Sequence, residues 1–380
     1  MSKEYTAVVD FGTQKITVAV GYLNRNGLII VGSGEAEYGG YLDGEFLQVD
    51  KLGESIQNAI AIAENNTGIE INSITVGVPS AFATVICKDV VQNYNKKIRV
   101  SDKVIQSLYD MGNDFAKYSN YTLISTDALE FSLDDGIPRL ECLGQATSKL
   151  KAKVSYILAE KKFVNLITQI TKILGLNIDR FVCTALAEYK YLVENSLDSS
   201  AIIDCGHLST SLAICRGNGL EALAEFSLGG GFITSDLMRW LKLDYPASDM
   251  LKRKVVLSII PSEQDVYEVK SGSDVITLSA YNANGIVGHR VEKIANTTIK
   301  CVEKYKNLIN DNTKFYLCGG GLSYIKGAKE ILGRMLGYNL DIICPNIPQL
   351  ARPHYSAVLS LLYVACKNNY VKRKYIFFNF

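Results

Sequence analysis

Two stretches of the chain carry the same alternation of apolar and polar positions. Val8 to Val20 (VVDFGTQKITVAV) aligns without a gap on Ile202 to Ile214 (IIDCGHLSTSLAI). Each copy runs through two apolar residues, an Asp, one further residue, a Gly and a polar stretch, then an apolar or alternating run. Such a pattern predicts strand, tight turn and returning strand, so one hairpin motif is used twice. A later apolar strand, Phe315 to Cys318, leads into Gly319-Gly320-Gly321, after which Ser323 is placed to N-cap a helix running through Ile331. Another glycine cluster, Gly229-Gly230-Gly231, precedes a helical run from Ile233 to Leu241. Val291, Ile294, Ala295 and Val302 recur at helical spacing from about Arg290 onward. Between the hairpins, Val100-Ser101-Asp102 opens a helix, Leu123 to Leu133 and Leu150 to Leu158 read as strands, and Asp134-Asp135-Gly136 reads as a hairpin turn.

The doubled hairpin suits a phosphate. Gly12 and Gly206 lack a Cβ and let backbone N–H groups approach an anion, while Thr13, Gln14, Ser209 and Thr210 add side-chain donors. Asp10 and Asp204, closing the first strand of each copy, cannot face phosphate without a cation between them. That points to a water-shelled Mg²⁺ flanked by both carboxylates. Strand, triple glycine and helix N-terminus is likewise a geometry for holding a ligand against backbone, which marks Gly319, Gly320 and Gly321 together with Gly230 and Gly231. No Walker A pattern is present and no G-x-G-x-x-G follows a strand, so the P-loop and Rossmann signatures are missing. His207 reads either as a donor to the phosphates or as a turn residue facing solvent.

Composition narrows the class. With 380 residues and 48% hydrophobic side chains, the chain can bury one large core or two or three moderate ones. Lys plus Arg (40) nearly cancels Asp plus Glu (39), leaving no positive field to hold nucleic acid. The nine cysteines are scattered singly without a Cys-x-x-Cys pair, as reduced core residues of a cytosolic protein would be. The chain passes from Met1 through Lys3 and Glu4 straight into a strand, and holds no apolar run of about 18 residues. Neither an export signal nor a spanning helix is expected.

The order of these motifs resembles the actin, sugar-kinase and heat-shock-chaperone superfamily, and over nearly the whole chain the text is similar to the FtsA family of bacterial cell-division proteins. Val9-Asp10-Phe11-Gly12-Thr13-Gln14-Lys15 is similar to that family's first phosphate loop, including the Lys at its end. Gly230-Gly231-Phe232-Ile233-Thr234-Ser235-Asp236 is similar to its glycine turn followed by Thr-x-Asp, with Ser248-Asp249 a short way after. The second loop departs from the pattern: it reads Asp204-Cys205-Gly206-His207-Leu208 where the superfamily favours glycines with a Thr.

The resemblance implies an α/β, actin-like ATPase fold of two ribonuclease H-like lobes. The first lobe would take residues 1–83 and 160–196, with a small α+β subdomain inserted at 84–159. The second would take 197–366, including a smaller subdomain at about 248–284 and a helix at 353–366 that is a candidate to pack back on the first lobe. Residues 367–380 would form a basic-aromatic tail. ATP and Mg²⁺ are the implied cofactors: Asp10 and Asp204 order the metal, while Gly12, Thr13, Lys15, Gly206 and Ser209 surround the β and γ phosphates. Arg290 and Lys293 lie on the counterpart of the nucleoside-binding helix, for adenine stacking and ribose contact. The implied partners are the C-terminal peptide of the tubulin-like FtsZ and further copies of the chain, head to tail.

A small-molecule kinase of the same superfamily is the alternative, as is a pilus-assembly or rod-shape actin homologue. A kinase needs a carboxylate base near the substrate hydroxyl. The crossing segment Val182-Cys183-Thr184-Ala185-Leu186-Ala187 has no carboxylate before Thr184, and Glu188, one turn later, reads as a solvated helix residue. ATP turnover is therefore expected to be slow or absent. FtsA proteins end in a basic amphipathic helix on the inner face of the membrane, and here Lys372, Arg373 and Lys374 precede Ile376, Phe377, Phe378 and Phe380. Charge and apolarity are divided along this tail rather than across it. Only Lys367 to Asn369 separate it from an apolar helix ending near Cys366. Membrane attachment and packing on protein both fit such a cluster.

Overall fold

The computed structural model describes residues 5–377. Among the described residues, 5–200, Ala213–Leu223 and 357–377 form one compact unit, and Ala201–Leu212 with Ala224–Ser356 form another.

In the first unit, β1 (Thr6–Phe11) and β2 (Lys15–Asn24) form the first hairpin, with Asp10 opposite Thr17. Ala7, Val8 and Val9 are all buried, as in a central strand covered on both faces. β3 (Gly27–Glu37) folds back on β2, and a two-stranded ribbon, β4 (Tyr41–Leu42) and β5 (Glu45–Phe46), leads into α1 (Val49–Thr67). Helix α1 turns Leu52, Ile56, Ala59, Ile60 and Ala63 inward, a single stripe of the helical period. β6 (Ser73–Val78) runs parallel to β1.

The insert then follows as β7 (Ala83–Arg99), α2 (Asp102–Met111), β8 (Tyr121–Ser132) and β9 (Ala146–Glu160), its sheet in the order β7-β9-β8. Helix α2 opens after Ser101, and the turn at Asp134–Gly136 returns Arg139 across from Phe131, as the local pattern predicts. Its core joins Leu108 of α2 to Val90, Phe131, Leu150, Val154 and Tyr156 of the strands. α3 (Lys161–Ile173), β10 (Asn177–Cys183) and α4 (Thr184–Leu192) return the chain, and β10 pairs in parallel with β6. Phe163 of α3 is buried at the centre of an aromatic cluster, with ring centroids 4.8 Å from Phe82 and 5.6 Å from Phe11.

The second half opens with the hairpin β11 (Ser200–Cys205) and β12 (Thr210–Arg216), then β13 (Gly219–Phe226). α5 (Gly230–Leu241) and α6 (Tyr245–Lys254) follow. Asp244 caps α6 by accepting from the Ala247 N–H at 2.8 Å, and Pro246 lies in its first turn. A ribbon of β14 (Val266–Ser271) and β15 (Asp274–Ser279) precedes the long α7 (Ala280–Lys304). β16 (Lys314–Cys318), α8 (Ala328–Leu336), β17 (Leu340–Ile342) and α9 (Ser356–Phe377) complete the chain.

The two five-stranded sheets have the orders β3-β2-β1-β6-β10 and β13-β12-β11-β16-β17. Counted from its own hairpin, each runs third, second, first, fourth, fifth. The repeat legible in thirteen aligned residues therefore extends to the topology of both sheets, which is the duplicated lobe expected of the fold class.

Three boundaries differ from expectation. Helix α8 starts at Ala328, not at Ser323, because Gly327 has φ +90° and a helix cannot run through it. Helix α7 begins about ten residues before Arg290. Helix α9 does not stop near Cys366 but continues to Phe377, since no Gly or Pro interrupts its hydrogen-bond ladder there. Its Leu361 and Leu362 pack against Gly77 of β6 and Gly21 of β2, and Asn369 donates to Thr6 Oγ1 at 3.2 Å. Of the tail residues singled out, Phe378 and Phe380 lie outside the described residues. Among the described residues, which include all nine cysteines, none forms a disulfide.

Replacing Phe163 by Ala empties the middle of the aromatic cluster. The expected cost is about 3–5 kcal/mol in urea-induced unfolding. A loss below about 1 kcal/mol would show that the cluster repacks around the gap.

Candidate functional site

The first loop joins β1 to β2. At Gly12 a Cβ would lie 2.8 Å from the Lys15 carbonyl, so the turn closes on itself only with glycine there. The Gln14 carbonyl accepts the Tyr38 N–H at 2.9 Å, tying the loop to the end of β3. Lys15 pairs with Glu35 at 2.6 Å, with the two side chains 37% and 40% exposed. A pair that open to water contributes at most about 1 kcal/mol and exchanges readily for another anion. Asp10 is half-buried at the end of β1, and Thr13 follows in the turn.

The second loop repeats the first, its Gly206 N–H closing the turn on the Ser209 carbonyl at 2.9 Å. Two remote glycine segments lock onto it. The Gly230 and Gly231 amides donate to the Gly206 and His207 carbonyls at 2.9 and 2.7 Å, and the Gly321 amide donates to the Cys205 carbonyl at 2.7 Å. A Cβ on Gly321 would fall 2.3 Å from the Gly206 carbonyl oxygen, and one on Gly319, whose φ is +79°, would fall 2.2 Å from Asp204 Oδ1. Three segments far apart in sequence thus meet backbone to backbone, and the amides of Gly230, Gly231 and Gly321 hold the loop. Gly320 abuts His354.

Other residues singled out from the sequence have internal partners. Thr210 is buried and its hydroxyl donates to the Leu228 carbonyl at 2.6 Å. Arg290 forks onto Asp236 with contacts of 2.6 and 2.8 Å, fastening α7 to α5, while Lys293 is exposed. Glu188 is not the solvated residue its helical position suggested: it is 2% exposed, because α4 buries Thr184 through Tyr189 on every face.

Burial and charge set the electrostatics of the second loop. Burial pushes the Asp204 carboxyl up to about 6. Lys252 of α6 is buried, with its ammonium 2.8 Å from Asp249 Oδ1 and 3.0 Å from Thr234 Oγ1. Burial alone would raise the Asp249 carboxyl, but the hydrogen bond and charge of Lys252, with Arg253, outweigh it and leave the group below its ordinary value. The His207 ring lies over Gly231, with its centroid 6.4 Å from that of Tyr245, and is half-buried. Burial, and secondarily the Lys252 charge, hold its pKa below the ordinary 6.5, with Asp249 opposing. At pH 7 the loop therefore presents a neutral imidazole, while the Lys252 ammonium is held by Asp249, Thr234 and the Gly230 carbonyl.

Sequence reasoning missed two features. Lys252 shares the buried stripe of α6 with Ala247, Ser248 and Leu251, and a lysine on an otherwise buried helix face is a visible signal. Tyr324 bonds through its hydroxyl to His354 Nδ1, and the Arg253 guanidinium lies 5.8 Å from the Tyr324 ring centroid. These three come from separate segments, and no periodicity joins them.

No protein-family model matches the chain. The cell division protein FtsA of Bacillus subtilis (strain 168) is 21% identical over an alignment 387 positions long, covering 99% of this chain and 87% of its own length. FtsA of Neisseria meningitidis serogroup B is 22% identical, over 96% of this chain and 91% of its own. Among solved structures, the PilM-PilN type IV pilus biogenesis complex superposes with a TM-score of 0.63 at 14% identity, over 96% of this chain and 99% of that one. MreB 5 of Spiroplasma citri bound to AMPPNP superposes with a TM-score of 0.57 at 10% identity, over 98% of each chain. The chain has the actin-like ATPase fold, and its likeness to FtsA, first read from the loops, extends over most of its length.

Replacing Lys252 by Met removes the like charge beside His207, and the imidazole pKa should rise toward 6.5 in an NMR titration. In the wild type the unfolded chain binds a proton at this histidine more readily than the folded one, so the histidine's contribution to stability falls as pH drops below about 6.5. An unchanged or lower His207 pKa in the variant would mean that the lysine charge does not reach the ring.

Proposed function

We propose that this chain is an ATP-binding, actin-like protein of bacterial cell division, which assembles head to tail and tethers FtsZ filaments to the inner face of the membrane. The observation that carries the reading is the doubled Asp-x-Gly hairpin, occupying the same place in two sheets of the same strand order, in a chain similar to FtsA over nearly its full length. The donor chemistry fits a Mg²⁺-nucleotide. A carboxyl that burial holds at about 6, as at Asp204, gains much from a divalent cation. Gly12, Thr13, Lys15 and Ser209 supply backbone and side-chain donors for phosphate, and Gly206, whose own N–H closes the turn, lets an anion approach without meeting a Cβ.

Mg²⁺ would supply charge neutralisation of the phosphates, and its direct or water-mediated holders would be Asp10 and Asp204. With no carboxylate ahead of Thr184 on the crossing segment, the protein binds ATP as a switch and turns it over slowly. The burial of Glu188 favours a second reading, an enzyme in which this carboxylate handles a proton. The two readings separate on rate: the switch turns over well below the on-the-order-of 10 per second usual for enzymes, and Glu188→Gln does not slow it further. A rate in the enzyme range that collapses in Glu188→Gln selects the second.

Attachment to an anionic surface would run through Lys372, Arg373 and Lys374, at about 1 kcal/mol each, with Ile376, Phe377, Phe378 and Phe380 as the apolar part. Among the described residues, no helix is long and apolar enough to cross a membrane. Head-to-tail contacts between identical copies leave open ends and give filaments.

Saturating Mg-ATP should raise the melting temperature, since a ligand at 100 times its Kd stabilises by about 2.7 kcal/mol. Asp10→Ala and Asp204→Ala should each reduce the rise. A wild type that shows none at millimolar nucleotide removes the ATP assignment. The intact chain should also float with anionic vesicles in low salt, and the chain lacking residues 371–380 should not. Equal flotation of both would place the membrane contact elsewhere.

A further inference from the structure

The insert grows out of the first repeat, between β6 and α3, yet several of its polar anchors lie on the second. The turn between β12 and β13 is seated on its strands. Asn218 N–H donates to the Ala128 carbonyl at 3.0 Å, Ser155 Oγ donates to the Leu220 carbonyl at 2.5 Å, and the Cys87 thiol lies 3.5 Å from the Glu221 carbonyl oxygen. Three ion pairs surround these bonds: Lys153 of β9 with Glu221 of β13, Glu130 of β8 with Arg216 of β12, and Asp127 of β8 with Lys190 of α4. The Glu221 side chain is 3% exposed. The Tyr189 hydroxyl donates to the Gly217 carbonyl at 2.8 Å from the same helix that carries Lys190. Gly217 has φ +57°, and a Cβ on it would sit 1.9 Å from the Leu129 carbonyl oxygen, so the turn approaches β8 as closely as backbones allow.

We propose that this seam is a conformational device, fastening the insert to the β12–β13 turn so that the two move as one body. Each polar group named has its partner across the seam or on the flanking helix α4, and a buried carboxylate such as Glu221 left without its lysine is strongly disfavoured. The seam therefore does not open by degrees. β12 begins beside Ser209 of the second loop and ends at Arg216 in the seam, a span of roughly 23 Å. The insert is thus fixed to the far end of the strand that leaves that loop. The consequence for nucleotide signalling rests on the function proposed above; the fastening does not.

The test is hydrogen exchange by mass spectrometry on the full, ligand-free chain, comparing wild type, Glu221→Lys, Lys153→Glu and the double charge swap. Each single variant should speed exchange at least about tenfold in peptides covering 125–131, 153–157 and 216–221 together. Peptides from β1 and β6 should keep wild-type protection, and the swap should restore all three segments. The fastening is overturned if the 216–221 peptide loosens while the insert peptides keep their protection, or if a folded swap variant restores nothing. If the single variants do not fold, Arg216→Gln and Glu130→Gln at the more exposed pair are read by the same criterion of joint or separate loosening.

Discussion

The second loop depends on a constraint of bare backbone. Gly206, Gly230 and Gly321 let two remote chain segments come within hydrogen-bonding distance of the loop, at 2.7 to 2.9 Å between amide and carbonyl, where any side chain would intrude. Because these amides are used in holding the loop, the groups left to meet a ligand are its turn, the Asp204 carboxyl that Gly319 crowds, and the side chains around them. The same closeness keeps water out, which raises the Asp204 carboxyl and lowers the His207 imidazole. Geometry and electrostatics at the loop have one origin.

Lys252 is the counterpart to that desolvation. A buried ammonium is tolerated only when it is paired and hydrogen-bonded, and Asp249 and Thr234 supply both conditions. The arrangement is stable without a ligand and still projects positive charge toward His207. The first loop is built differently, with an exposed Lys15–Glu35 pair in place of a buried cation. The copies share topology and turn closure but differ in how their charge is held.

Much of the fold was legible because its signal is local. The two hairpins, the turn at Asp134–Gly136 and the start of α2 after Ser101 depend on residues a few positions apart, and they stand where the pattern put them. The thirteen aligned residues showed the doubled hairpin, and the family resemblance implied its extension to both sheets. What sequence did not show depends on long-range packing. Glu188 looks like a surface residue until the burial of the whole of α4 is known, and the pairing of Arg290, marked from sequence for nucleoside contact, with Asp236 needs α5 packed against α7. The start of α8 was misplaced because a capping serine was visible whereas the positive φ of Gly327 was not.

Under the function proposed above, the two hairpins, equivalent in sequence and topology, respond to the same nucleotide. Hydrogen exchange across residues 10–15 and 204–209, followed through a titration with Mg-ATP, tests this most directly. The account predicts that both turns slow together, with one midpoint, and that neither slows with Mg²⁺ alone. Protection in only one turn, or in the two turns at separate concentrations, would contradict it.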